Sequence, residues 1–286
     1  MNIRRIGEFS LTWGESLLWD DQKNRLYFVD CSTRKLHWLE SAEPPLHSMS
    51  LSSMPTGAGL VEDGRLILAL ADGLHLIDPD TGSSELLTQY PIQLGVRAND
   101  ATVDSLGNFV TGSLKEPTQG SYWWYSSREG WRLLDDGISN ANGPVTLGSD
   151  GSERLIFADT PAQKLYSYGY DANEGCVTGR DVFANTLELG GWPDGACATT
   201  SGGILSCLLG AGLVAHYDDE GLCQTIETGS ELPSDIAFGG EHLDRLFVVS
   251  VSVKSAYGIP KSPLAGALIE IEASGLVGVK ENRFRL

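Results

Sequence analysis

Six segments of the chain share one internal grammar, and this repetition restricts the fold more than any other feature of the sequence. Each opens on a stretch rich in Gly, Asn, Asp or Pro, runs into an apolar segment, turns, and returns through two further apolar or alternating segments. The segments start at Gly14, Gly59, Ala98, Asn142, Pro193 and Pro233, so successive starts lie 45, 39, 44, 51 and 40 residues apart. In the first, the turn Asp21-Gln22-Lys23-Asn24 precedes Leu26-Tyr27-Phe28-Val29, and Lys35-Leu36-His37-Trp38 follows. Alternation with period two is the mark of a half-buried strand. A unit of ~40–50 residues holding about four strands is a propeller blade. The pattern predicts an all-β fold, a six-bladed β-propeller occupying residues 1–286 as a single domain. The N-terminal strand, near residues 4–11, is expected to complete the last blade, which leaves no open sheet edge. A β-sandwich would not need six matched units, and a solenoid would need polar caps at both ends.

Composition agrees and narrows the function. The 34 Gly and 12 Pro suit many tight turns. The net charge of −18, from 20 Lys and Arg against 38 Asp and Glu, repels phosphate backbones and anionic membranes. Neither nucleic acid nor a membrane is therefore an expected partner. The first residues, MNIRRIGEFSLTWGES, carry no apolar signal core, and no run approaches the ~18 apolar residues of a membrane span. The five Cys are scattered without a CxxC pair, which suits reduced thiols and a cytoplasmic location.

In a propeller the innermost strand of each blade runs along the central channel, so the residues leading into it line one mouth. Here they are Gly14-Glu15-Ser16, Gly57-Ala58-Gly59, Asn99-Asp100-Ala101, Asn142-Gly143-Pro144, Pro193-Asp194-Gly195 and Ser234-Asp235-Ile236. Equivalent positions of a ring converge on its axis. Glu15, Asn99, Asn142 and Asp194 are therefore expected to face one another. Carboxylates and carboxamide oxygens gathered in this way suit a hard cation, and like charges so close would repel unless a cation or a proton intervened. Asn, Asp and Gly are also ordinary turn residues. The recurrence in one register, rather than any single position, carries the expectation.

Other chemistry finds little support. The His residues show no HExxH spacing, and His37, His75 and His216 sit in strand patterns. DPDTG at 78–82 opens like a calcium loop but lacks the remainder and reads as a hairpin turn. No GxSxG elbow or phosphate loop occurs.

Four motifs in order resemble the regucalcin/gluconolactonase family of sugar lactonases. GESLLWDDQKNRLYFVD is similar to that family's GEGPxW…LxxVD opening, whose Glu binds metal; Glu15 stands there. RANDATVDSLGNFVTGSL resembles its RxND block, whose Arg and Asn contact substrate, here Arg97 and Asn99. SNANGPVTLGSDGSERLIFADT resembles a block whose Asn is a ligand, which maps to Asn142, with Asn140 as the alternative register. WPDGACATTSGGI resembles the PDG block, whose Asp is ligand and base, here Asp194. Glu116 lies nearest to a further substrate-contacting Glu. Thr199 replaces the Asp that usually follows PDG, and Ala98 and Trp192 are changes on the scale of the pocket.

The resemblance implies a six-bladed propeller that hydrolyses a sugar lactone to the aldonic acid. One divalent cation on Glu15, Asn142 and Asp194 would polarise the carbonyl, with Asp194 or a metal-bound water supplying the nucleophile. An all-oxygen set suits Ca²⁺ first, with Zn²⁺, Mn²⁺, Mg²⁺ or Fe²⁺ as alternatives. Two other readings remain at this level: a non-enzymatic calcium-binding propeller, and a hydrolase of hydrophobic lactones or esters. In the latter, Trp123, Trp124 and Trp192 would line an apolar pocket instead of packing between blades.

Overall fold

The computed structural model describes residues 2–94, 97–114, 120–149, 151–272 and 275–286. Six small sheets form a ring, and each has four antiparallel strands running outward from the axis, in sequence order except that the N-terminal strand is outermost in the sixth blade; one short parallel strand is added to the second blade. The innermost strands are Gly14–Asp20, Gly57–Val61, Arg97–Val103, Ala141–Ser149, Trp192–Ala198 and Pro233–Gly239. Each packs against the next, and the sixth returns to the first. These are the six segments the repeat defines. Strand Ile3–Ile6 pairs with Leu268–Glu272 on the outer edge of the sixth blade, Ile3 opposite Ile271 and Ile6 opposite Leu268. The N-terminus thus closes the ring as the sequence predicts. Across the seam, Arg4 and Arg245 share Glu43 and Glu270, a partly exposed network of modest energetic weight.

Apolar side chains from facing sheets fill the gaps between blades. Leu205, Cys207 and Val214 of the fifth blade pack with Ile236, Phe247, Val248 and Ile269 of the sixth and Phe28 of the first. The adjacent Trp123 and Trp124 point to opposite faces of strand Gly120–Ser126, as a pleat requires. Trp123 packs with Ile67, Leu76 and Phe109 toward the second blade, and Trp124 with Phe157 and Tyr170 toward the fourth. Two single turns of 3-10 helix, Ile92–Leu94 and Leu187–Leu189, are the helical elements among the described residues. No helix there is long and apolar enough to cross a membrane.

One irregularity recurs with the blades. Where the inner strand begins, it carries one residue more than its partner strand. This β-bulge falls between Glu15 and Leu18, Ala98 and Ala101, Asn142 and Val145, Pro193 and Ala196, and Pro233 and Asp235. The second blade pairs regularly from Gly57 to Leu60. It is also the one whose lead-in, Gly-Ala-Gly, has no oxygen-bearing side chain. A bulge turns a side chain away from the alternating register and leaves backbone N–H groups without ladder partners. Two buried carboxylates accept those groups. Asp100 accepts from Ala101 N–H at 2.8 Å and, across to the fourth blade, from Gly143 N–H at 2.9 Å. Asp235 accepts from Ile236 N–H at 2.7 Å and, across to the first blade, from Leu17 N–H at 2.6 Å.

Residues 275–286 cross the far end of the channel. Gly278 bridges to Thr199 and donates its N–H to Leu243 O at 2.8 Å. Arg283 binds Asp20 and Asp21. Arg283–Phe284 adds a short parallel strand beside Leu60 and Val61, with Phe284 fully buried. Arg285 N–H reaches Gly107 O at 2.9 Å. These contacts fall on the fifth, sixth, first, second and third blades, at or beyond the ends of the inner strands opposite the bulges. Short and aperiodic, the segment gives no repeat signal in the sequence.

The bulges leave no room for larger residues. A Cβ on Gly195 would stand 2.0 Å from Asp235 Oδ1 and 2.8 Å from Asp235 Cα. Gly82, at a hairpin turn with φ +74°, has no neighbour within 4 Å of such an atom. Gly195→Ala is therefore expected to cost about 3 kcal/mol by overpacking, and Gly82→Ala about 1–2 kcal/mol from its left-handed backbone alone. Denaturant midpoints of the two variants beside the parent check the ranking.

Candidate functional site

The bulged ends of the inner strands surround a cavity of 170 Å³. Its lining brings together Glu15, Arg97, Asn99, Asn142 and Asp194, together with Asn140, Asp100, Trp13 and Tyr257. Residues separated by as much as the distance from Glu15 to Asp194 in sequence thus meet in one space, as the ring geometry predicts. Glu116 lies outside the described residues.

Asn99 is the hub on the third-blade side. Its Oδ1 accepts from Arg97 Nη1, and its Nδ2 donates to Ala141 O at 2.9 Å, to Asn140 Oδ1 at 3.1 Å and to Asn142 Oδ1. Both registers considered for the fourth blade therefore border the cavity, and one amide spans them. Asn142 Nδ2 donates to Thr160 Oγ1 at 2.8 Å, and that hydroxyl donates to Pro193 O at 2.7 Å. This chain fixes the Asn142 amide, so that its Oδ1 is the oxygen turned toward Asn99. Gly143 follows with φ +49°, and a Cβ there would meet Asp194 O at 2.3 Å. The fourth and fifth blades approach so closely here that only glycine fits.

Arg97 Nη1 also donates to Ala98 O at 3.1 Å. Its Nε and Nη2 have no partner among the described residues. Glu15 accepts from the Trp13 indole, Nε1 to Oε1, at 2.7 Å. Asp194 is 3% exposed, and none of the described residues donates a hydrogen bond to its carboxylate.

The electrostatics follow from burial. Desolvation pushes the Asp194 carboxyl well above its ordinary range, the Asp100 charge pushes the same way, and Arg97 pulls it down. Glu15 is raised by burial and by Asp194, Asp235 and Asp100, against the Trp13 hydrogen bond. Burial raises Asp100 to about 6, opposed by its two backbone hydrogen bonds. Asp235 is likewise raised by burial and by the neighbouring Asp100. A cluster with this much uncompensated negative charge calls for a positive partner or bound protons. No group of three or more His, Cys, Asp and Glu side chains among the described residues is arranged to hold a metal. A cation here would therefore draw on Asn142 Oδ1 as well as on Glu15 and Asp194. That donor set, two carboxylates and one amide oxygen, fits a hard divalent ion completed by water.

The other wall is apolar: Trp13, Met54, Leu209 and Tyr257. Trp192 stands behind Tyr257, their ring centroids 5.6 Å apart. Trp123 and Trp124 lie in the interblade core and do not border the cavity. An apolar pocket built on them is therefore excluded. The Cys31 thiol lines the cavity but burial pushes it up, which makes it a poor nucleophile. Sequence reasoning did not single out Trp13, Tyr257, Asp100 or Asp235. The two Asp residues could have been found by asking which lead-in carboxylates serve backbone N–H groups.

Comparison with known proteins identifies the family of the chain. The family model described as the SMP-30/Gluconolactonase/LRE-like region matches residues 13–252. A pentonolactonase of Haloferax volcanii is 28% identical over 256 residues, spanning 87% of this chain and 85% of its own. A 6-deoxy-6-sulfogluconolactonase of Pseudomonas putida is 27% identical, spanning 89% of each. The crystal structure of a calcium-binding protein, regucalcin, from Agrobacterium tumefaciens superposes with a TM-score of 0.88 at 26% identity, covering 99% of this chain and 97% of the other. With a family match across most of its length, the chain belongs to the SMP-30/gluconolactonase/LRE-like family.

Proposed function

We propose that the protein hydrolyses a sugar lactone to the open-chain aldonic acid in the cavity at the bulged end of the channel. The observation that carries this reading is the convergence of Glu15, Asn142 and Asp194 beside Arg97 and Asn99 around one cavity. The pentonolactonase and the 6-deoxy-6-sulfogluconolactonase among the relatives support it.

Glu15, Asn142 and Asp194 would hold a divalent cation, which when bound supplies positive charge to polarise the lactone carbonyl and offset the developing oxyanion. The chain's own groups do the remainder. Arg97, with Nη1 committed to Asn99 and Ala98, keeps Nε and Nη2 for oxygens of the substrate and orients the ring. Asn99 holds Arg97 and Asn142 in one fixed relation, so that binding and chemistry share a frame. Asp194 takes a proton from water as the water oxygen bonds to the lactone carbonyl carbon. When the bond to the ring oxygen breaks, Asp194 returns that proton to the departing alkoxide, which becomes a hydroxyl. No N–H donor among the described residues competes for the Asp194 carboxylate. Trp13, Met54, Leu209 and Tyr257 wall off bulk water on the apolar side.

Acid release from a panel of pentono- and hexonolactones tests the reading. Turnover on at least one lactone, abolished by EDTA and restored by a divalent cation, is expected. Cation binding without metal-dependent turnover on any lactone would instead favour a non-enzymatic calcium-binding propeller.

The roles separate kinetically. Asp194→Ala is expected to lower kcat by about 10²–10⁴-fold, the usual contribution of a general base, compounded by any loss of cation. Arg97→Ala is expected to act chiefly through KM, because it binds substrate oxygen without moving protons. Steady-state kinetics at saturating cation distinguishes the two. Retained activity in Asp194→Ala refutes its assignment.

A further inference from the structure

We propose that Trp13 is a positioning residue for Glu15: its indole N–H holds one carboxylate oxygen, so that Glu15 offers the channel a single fixed oxygen. The inference rests on the reading of Glu15, Asn142 and Asp194 as a cation site, and it adds a residue that lies outside the ring of polar lead-ins.

The geometry is local and rigid. Trp13 Nε1 donates to Glu15 Oε1 at 2.7 Å, the one protein hydrogen bond on that carboxylate among the described residues. The two residues are on the same side of one extended segment, because side chains two positions apart project alike. The Trp13 backbone is held at three points. Its N–H donates to Asp30 Oδ1 at 3.3 Å, its carbonyl accepts from Cys31 N–H at 3.0 Å, and it bridges to Val251 of the sixth blade. Asp30 also accepts from Thr12 N–H at 2.8 Å, fixing the preceding residue. The ring packs against the buried cluster of Leu209, Leu232 and Val251, as do Trp192 and Tyr257, so the indole cannot rotate without disturbing the fifth and sixth blades.

Three consequences follow. A freely rotating glutamate loses side-chain entropy when it binds an ion, whereas here much of that ordering precedes binding. With Oε1 engaged by the indole, the carboxylate is disposed to ligate through Oε2 alone. The indole also walls the cavity, so a substrate resting on its face presses on the group that orients Glu15. An outer partner of this kind commonly accounts for about 10–100-fold in metal affinity or activity.

Trp13→Phe keeps an aromatic body and removes the N–H. Calorimetry of Ca²⁺ binding to the metal-stripped protein is expected to show affinity weakened about tenfold, with the melting temperature of the metal-free protein nearly unchanged. Glu15→Gln and Asp194→Asn, measured alongside, are expected to abolish binding, and Trp13→Phe is expected to add nothing in the Glu15→Gln background. If Glu15→Gln and Asp194→Asn abolish binding but Trp13→Phe binds like the parent, the role of Trp13 is overturned and the cation site stands. If Glu15→Gln and Asp194→Asn both bind like the parent, the cation site itself fails, and the role of Trp13 with it. Should Trp13→Phe not fold, ¹⁵N-indole spectra of the parent and of Glu15→Gln decide. One of the seven indole N–H resonances, assigned through Trp13→Tyr, is expected to move both on Ca²⁺ addition and on Glu15→Gln. A Trp13 resonance that responds to neither overturns the proposal.

Discussion

The structure depends on how the channel's unpaired backbone N–H groups are satisfied. Six strands pointing down one axis must bend where they begin, and five do so through a bulge that removes N–H groups from the ladder. Away from water such groups are costly unless accepted. Asp100 ties the third blade to the fourth, and Asp235 ties the sixth to the first, each with one oxygen for its own strand and one for the neighbour. The second of these bonds lies at the seam where the ring closes, beside the N-terminal strand. Blade closure and site geometry are therefore set by the same turns of backbone.

This solution concentrates negative charge. Two carboxylates serve the backbone and two more, Glu15 and Asp194, face the cavity; burial raises all four above the ordinary carboxylate range, and neighbouring carboxylates push Glu15, Asp194 and Asp235 further. Arg97 is the single cationic side chain among the described residues that line the cavity. A divalent cation would offset the imbalance, and the same field would favour it over monovalent competitors. At the opposite end, residues 275–286 lie across the channel and border a second, smaller cavity of 80 Å³ with Asp100 and Asp235 in its wall. The strap thus lies on the side of the channel opposite the cavity that Glu15 and Asp194 line.

Much of this was legible in the sequence, for a definite reason. A blade cannot bury its faces alone, so every blade repeats the same strand-turn-strand pattern and the repeat announces itself. Because the ring places equivalent positions together, aligning the units is enough to gather Glu15, Asn99, Asn142 and Asp194. The roles of Asp100 and Asp235 were hidden because Asp in a turn looks the same whether it caps its own backbone or a neighbour's. Trp13 and Tyr257 were hidden for another reason: neither occupies a repeated position, and each reaches the cavity through packing among the first, fifth and sixth blades.

By itself the sequence determined the number of blades, the closure by the N-terminal strand and the set of polar residues at the mouth, because these follow from periodicity and symmetry. Tertiary structure decided what periodicity does not encode. It determined which oxygens face the cavity, as with Asn142 Oδ1, turned there by the bond from its own amide to Thr160, and the carboxylate of Asp194. It sent Trp123 and Trp124 into the interblade core rather than the cavity, and it brought the aperiodic C-terminal segment across the far mouth. Those outcomes depend on contacts between blades distant in the chain, and such contacts exist only once the ring is closed.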